Sequence, residues 1–156
     1  MAVRAGFVSL IAVAALAVPA AAAADKPNFS GDWKMNAAKS NFGPIPGPSS
    51  IVRKVTHAEP SLAIVEEQQG DMGTQVTTRK YTTDGKEMTF ESGGAVVRGT
   101  AVWEGNTLIL TSIVDAISVT FTDRMSLSED GRTLTSAVHI ASAQGDLDIV
   151  VVFDKQ

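Results

Sequence analysis

Turn-forming residues recur at intervals of roughly ten positions through the second half of the chain, and that spacing leaves almost no room for helices. The punctuation runs Gly70 to Gly73, Thr83-Asp84-Gly85-Lys86, Ser92-Gly93-Gly94, Glu104-Gly105-Asn106, Glu129-Asp130-Gly131 and Gln144-Gly145-Asp146. Asp-Gly supplies the positive φ values that a tight hairpin needs. The intervening segments are strand-length and rich in Val, Ile, Thr and aromatic residues: Leu62 to Gln68, Thr74 to Thr82, Glu87 to Glu91, Val96 to Trp103 and Leu108 to Ile113. The clearest of all follows. Ile117, Val119, Phe121, Met125 and Leu127 share one parity, and Ser118, Thr120, Thr122, Arg124 and Ser126 share the other. A period of two is a half-buried strand, not a helix. Leu134 to Ile140 and Leu147 to Phe153 complete the series.

Upstream, Asn28 to Met35 opens a first strand, and Ser50 to Ala58 forms a second. Between them Asn36 is placed to cap a single turn ending at Ser40, and Pro44, Pro46 and Pro48 hold Gly43 to Ser49 as an extended connector. Short connections throughout predict an up-and-down antiparallel meander of about 8–10 strands. Closing it into a barrel removes both edges, and a barrel of this size is filled by side chains or holds one small ligand. An open, curled sheet or a sandwich is the second reading.

Residues 1–24 are set apart from this pattern. Met1 to Arg4 carries one positive charge, Gly6 to Val18 is apolar, and Pro19 precedes Ala20 to Ala24. That is the layout of a secretory signal peptide, with an apolar run too short for a spanning helix. The expectation is a signal at 1–24, a single domain at 25–156, and a periplasmic or secreted address with no membrane span after cleavage. The chain has no Cys, so it holds no disulfide, thiolate metal site or lipidated cysteine. Without Arg4, 12 basic residues stand against 17 acidic ones. An interspersed, mildly acidic surface gives no reason to expect nucleic acid as a partner.

Phe29-x-Gly31-x-Trp33-Lys34 on a first strand resembles the opening motif of the calycin superfamily, the lipocalins and fatty-acid-binding proteins. The wider pattern adds His57-x-x-Pro60-Ser61-Leu62, Tyr81-x-x-Asp84-Gly85-Lys86-Glu87, Trp103-x-Gly105-x-x-Leu108 and Ser128-x-Asp130-Gly131-x-Thr133-Leu134. Together these resemble a group of exported bacterial lipocalin-like proteins with no assigned activity. The resemblance implies that Phe29, Gly31 and Trp33 build the barrel floor, with Gly31 bending the strand and Trp33 plugging the closed end. It also implies a mostly apolar ligand in the lumen. Two departures stand out. The stretch from Asn36 to Ser50 is too short and proline-rich for the helical lid of fatty-acid-binding proteins. The last strand offers Lys155 where lipocalins place an Arg against the floor Trp.

Candidate ligand-contacting residues are Arg124, Arg98, Arg79 and Tyr81. A lumenal Arg124 would bind a ligand carboxylate in two-pronged fashion. On the other reading, which apolar-in alternation favours, it faces solvent and pairs with an acid on a neighbouring strand. Arg98 and Arg79 pose the same question, and Gly99 beside Arg98 permits a close approach of backbone or ligand. The acid pairs Glu66-Glu67 and Glu129-Asp130 read as solvated charges, since neighbours in a strand point to opposite faces. No nucleophile elbow, P-loop, zinc motif or dinucleotide fingerprint occurs, and His57 and His139 have no metal-ligand spacing. The chain thus reads as a non-enzymatic carrier with no cofactor and no metal. The alternative is a filled barrel acting through its surface as an envelope interaction module. Ile149 to Phe153 is apolar on both parities. The expectation is that the connector from Gly43 to Ser49 covers its outer face, docked through Ile45, in a monomer; the alternative is a dimer contact.

Overall fold

The computed structural model describes residues 25–156; the signal-peptide reading of 1–24 lies outside them. Ten strands follow one another: β1 (Gly31–Met35), β2 (Ser50–Ala58), β3 (Ser61–Gly70), β4 (Gly73–Thr82), β5 (Met88–Ser92), β6 (Ala95–Glu104), β7 (Thr107–Val114), β8 (Val119–Leu127), β9 (Thr133–Ser142) and β10 (Gly145–Lys155). They form one antiparallel sheet in the order β4-β3-β2-β1-β10-β9-β8-β7-β6-β5. The first strand pairs with the last, through Trp33↔Lys155 and Met35↔Phe153. The sheet therefore curls into a barrel that lacks only a ladder between β4 and β5, where Tyr81 and Phe90 meet edge to face at 5.4 Å. Gly99 makes that meeting fit: a Cβ there would stand 2.7 Å from Tyr81 and 2.8 Å from Phe90.

The turns fall at two ends. The β2–β3, β6–β7 and β8–β9 hairpins close one end, the floor. The β3–β4, β5–β6, β7–β8 and β9–β10 turns and the Asn36–Ser49 connector ring the other, the mouth. Phe29, Trp33, Leu62, Leu108, Met125, Leu134 and Phe153 fill the floor half completely. The indole N–H of Trp33 donates to the Phe29 carbonyl at 3.0 Å, and the Lys155 ammonium lies 5.4 Å from the centre of the Trp33 ring. Lysine thus caps the floor tryptophan by a cation–π contact. At the same end Phe29 stacks on Trp103 at 5.9 Å, and the Phe29 N–H donates to Nδ1 of His57. That bond leaves the His57 proton on Nε2, facing Glu59 at 3.0 Å.

Four expectations are corrected. The hairpin expected at Thr83-Asp84-Gly85-Lys86 is only a turn, because β4 and β5 lie at opposite ends of the sheet order and share no ladder. The strand expected from Ile117 begins at Val119; Asp115–Ile117 is a 3-10 turn ended by Ser118 at φ 52°, and Ile117 is exposed. The expected docking of the Gly43 to Ser49 connector on the outer face of β10 is not seen: Val150 on that face is exposed, and the Asn36–Asn41 segment pairs instead with the backbone edge of β10 beyond β1. Asn36 donates to the Val152 carbonyl, and Asn41 exchanges two backbone bonds with Val150. Ile45 stays exposed. Glu66 is not a solvated charge; it points into the barrel, as described next. The predicted turn at Asn36 is present, with the Asn36 side chain accepting from the Lys39 N–H.

Candidate ligand-binding site

Inward-facing positions follow from the register. On β2 they are Ile51, Arg53, Val55 and His57; their partners on β3 are Gln68, Glu66, Ile64 and Leu62. Those in turn face Gln75, Thr77, Arg79 and Tyr81 on β4. Across the barrel, Phe121, Asp123 and Met125 on β8 face Ile140, Val138 and Ser136 on β9. Four charged side chains therefore share one level of the inward stripes. Arg53, Glu66, Arg79 and Asp123 meet there.

Arg53 anchors the layer. Its side chain is 4% exposed, its guanidinium lies 4.4 Å from the centre of the Phe153 ring, and it grips Oε2 of Glu66 through Nε at 2.7 Å and Nη2 at 2.6 Å. Its Nη1 donates to Ser136 Oγ at 3.3 Å, which donates to Asp123 Oδ1 at 2.5 Å. Asp123 Oδ2 is buried and receives no hydrogen bond among the described residues; Arg79 Nη1 at 3.7 Å and Arg53 Nη1 at 4.0 Å are the cations beside it. Arg79 is held far more loosely than Arg53. It lies 3.5 Å from Glu66, beyond the ordinary hydrogen-bond range, and its side chain is 19% exposed. Beside it the Tyr81 hydroxyl shares a 2.7 Å hydrogen bond with Ser112. Burial alone raises the Glu66 carboxyl, but the Arg53 and then the Arg79 charge overcome it and hold it below the usual carboxylate range.

Above this layer the packing changes character. The inward side chains of Val119, Phe121, Val138, Ile140, Leu147 and Ile149 are only half-buried, although the same stripes are sealed nearer the floor. Gln68 and Gln75 face them from the opposite wall and also line an open cleft of about 310 Å³ between Pro46–Ser49 and the β3–β4 turn. This mouth-side half of the lumen, the cup, thus has partly exposed apolar side chains on its β8–β10 side, with Arg79 and Glu66 at the level beneath them.

Of the sequence candidates, Arg79 and Tyr81 lie inside the barrel. Arg124 and Arg98 lie outside. Arg124 pairs with Glu104 at 2.6 Å on the outer wall. Arg98 is clamped by Asp115 at 2.8 Å and Glu87 at 3.1 Å near the mouth rim. Phe29, Gly31 and Trp33 sit at the floor. Sequence reasoning missed Arg53, Glu66 and Asp123. Their signal was a charge on an apolar parity, between Ile51 and Val55, after Ile64, and between Phe121 and Met125.

No family model matches this chain, and no curated protein does. Solved structures do. Zebrafish ileal bile acid-binding protein, complexed with cholic acid, is 21% identical with a TM-score of 0.59, over 82% of this chain and 98% of that one. Echinococcus granulosus fatty-acid-binding protein 1 is 14% identical with a TM-score of 0.55, over 81% and 96%. A secretory abundant heat soluble protein of Ramazzottius varieornatus is 11% identical with a TM-score of 0.62, over 82% and 95%. The meander, the first-to-last strand pairing and these likenesses give the chain a calycin-type barrel fold, as its opening Phe29-x-Gly31-x-Trp33 motif implied.

Proposed function

We propose that the protein is a non-enzymatic carrier that holds a small, mostly apolar molecule in the upper lumen, with its polar end against Arg79. The observation that carries this reading is the band of inward-facing apolar side chains left half-open above a buried polar layer. Such concave, apolar surfaces with a few convergent polar groups are the usual form of small-molecule sites. Solved neighbours named for bile-acid and fatty-acid binding share the fold. The apolar run at Gly6 to Val18 supports export to a periplasmic or secreted address as part of the same proposal.

Titration with an environment-sensitive apolar dye tests the reading. Saturable one-to-one binding, displaced by long-chain amphiphiles, is expected. Arg79→Leu should weaken displacement by about 1.5–3 kcal/mol, the scale of a hydrogen bond to a charged group, while Arg124→Leu on the outer wall should leave it unchanged. A dye that never binds, or equal losses in both variants, would remove the lumen as the site.

A further inference from the structure

The polar layer carries its own charge balance. Two guanidinium groups, Arg53 and Arg79, stand against two carboxylates, Glu66 and Asp123, all within 4.0 Å of a partner. Above them, toward the mouth, no inward-facing strand position among the described residues carries Lys or Arg. An anionic ligand head would therefore enter as a third negative charge with no free cation to meet it, in a setting where water is partly excluded.

The unused hydrogen-bonding capacity points the same way. Arg53 and Arg79 both meet Glu66 at its Oε2, and among the described residues Oε1 receives no donor. Arg79 meets the two carboxylates only at 3.5 and 3.7 Å and also interacts with the Tyr81 hydroxyl, so of its five N–H groups some remain to donate to a ligand. A free acceptor and an available donor thus stand side by side at the base of the cup. We infer that the ligand's polar end is neutral and both donates and accepts, as in a long-chain alcohol or primary amide, rather than a fatty acid. Its O–H or N–H would donate to Glu66 Oε1 while its oxygen accepts from Arg79. The Glu66 carboxyl, held low by the two arginines, is ionised at neutral pH and so keeps that acceptor.

The inference rests on the lumen-binding reading above, and the test separates the two. Displacement of the apolar dye is measured at pH 7.5 with four twelve-carbon probes: dodecanol, dodecanamide, methyl dodecanoate and dodecanoic acid. The alcohol and the amide should each bind at least tenfold more tightly than the acid, and more tightly than the ester, which cannot donate. Chain partitioning alone also penalises an ionised acid, so the variants decide. Glu66→Gln leaves the layer with one surplus positive charge, and the acid-to-alcohol affinity ratio should rise at least tenfold. Asp123→Asn creates the same surplus while keeping Glu66, which covers the case of a poorly folding Glu66→Gln. Acid binding equal to that of the alcohol in the unaltered protein overturns the inference, as does a ratio that neither variant moves. Failure of all four probes to displace the dye overturns the lumen reading itself.

Discussion

Arg53 shows how a single side chain sets a charged layer inside a packed barrel. Most inward positions nearer the floor are apolar and sealed, whereas Arg53 is buried with its charge intact because Glu66, Ser136 and the Phe153 face all engage it. Removing one partner of such a pair strands the rest. Arg53→Met would leave Glu66 and Asp123 buried with only the loosely placed Arg79, and should cost about 3–5 kcal/mol in urea denaturation. A loss under 1 kcal/mol would mean that the layer relaxes freely. The same residues set an acid limit. Because the folded Glu66 carboxyl titrates below its ordinary value of 4.5, its contribution to stability is complete above that pH. That contribution is lost as pH falls through the folded value. Glu59, at the floor, is likewise lowered: burial opposes ionisation, but hydrogen bonds from Thr83, Trp103 and His57 outweigh it. Stability should fall from about pH 4.5 downward, and Glu66→Gln should show a shallower slope in that window. Equal slopes would assign the acid limit to other groups.

At the scale of elements, what could be read from the chain was whatever repeats. The hairpins at Glu104-Gly105 and Asp130-Gly131 announce themselves because a tight turn needs backbone angles that few residues adopt, and both glycines have positive φ; Gly85 has a positive φ too, but the strands on either side of Asp84-Gly85 share no ladder, so that signal marks a turn and not a hairpin. The floor was legible through the resemblance of Phe29-x-Gly31-x-Trp33 to the calycin opening motif. The site was not, because parity analysis collects the residues that obey the pattern. Asp123 sits on the same face as Phe121 and Met125 and was passed over for Arg124, its neighbour on the outer wall. Whether a charge on an apolar stripe is tolerated depends on what the other strands bring to the same level, which register decides and local sequence does not. The β4–β5 seam is a further feature visible only in three dimensions. Gly99→Ala would drive a methyl group into both Tyr81 and Phe90, and overpacking of this kind costs about 1–3 kcal/mol. Part of the loss should be recovered in a Gly99→Ala, Phe90→Leu double variant, where one of the two crowding rings is gone and Tyr81 remains; simple additivity of the two changes would show that the seam does not depend on this fit.

For the whole molecule, the consequence of an incompletely closed sheet is an uneven distribution of stability. Every strand from β3 through β2, β1, β10, β9, β8, β7 and β6 has a hydrogen-bonded neighbour on each side, at least over part of its length, whereas β4 and β5 have one. In a strand with a single neighbour, successive N–H groups point alternately into the ladder and away from it. About half the amides of β4 and β5 thus lack a strand partner, and these strands border the cup on the side of Arg79 and Thr77. Opening along this seam breaks no ladder, so it is the least costly way to widen the barrel and admit a ligand. Native-state hydrogen exchange should accordingly show alternating fast and slow amides along β4 and β5, with continuous protection along β8 and β9. Adding a bound amphiphile should slow the fast set in β4 while leaving β8 and β9 unchanged. Uniform protection around all ten strands would mean that the seam is as tightly held as any ladder, and entry would then have to run through the mouth between the Pro46–Ser49 connector and the β3–β4 turn.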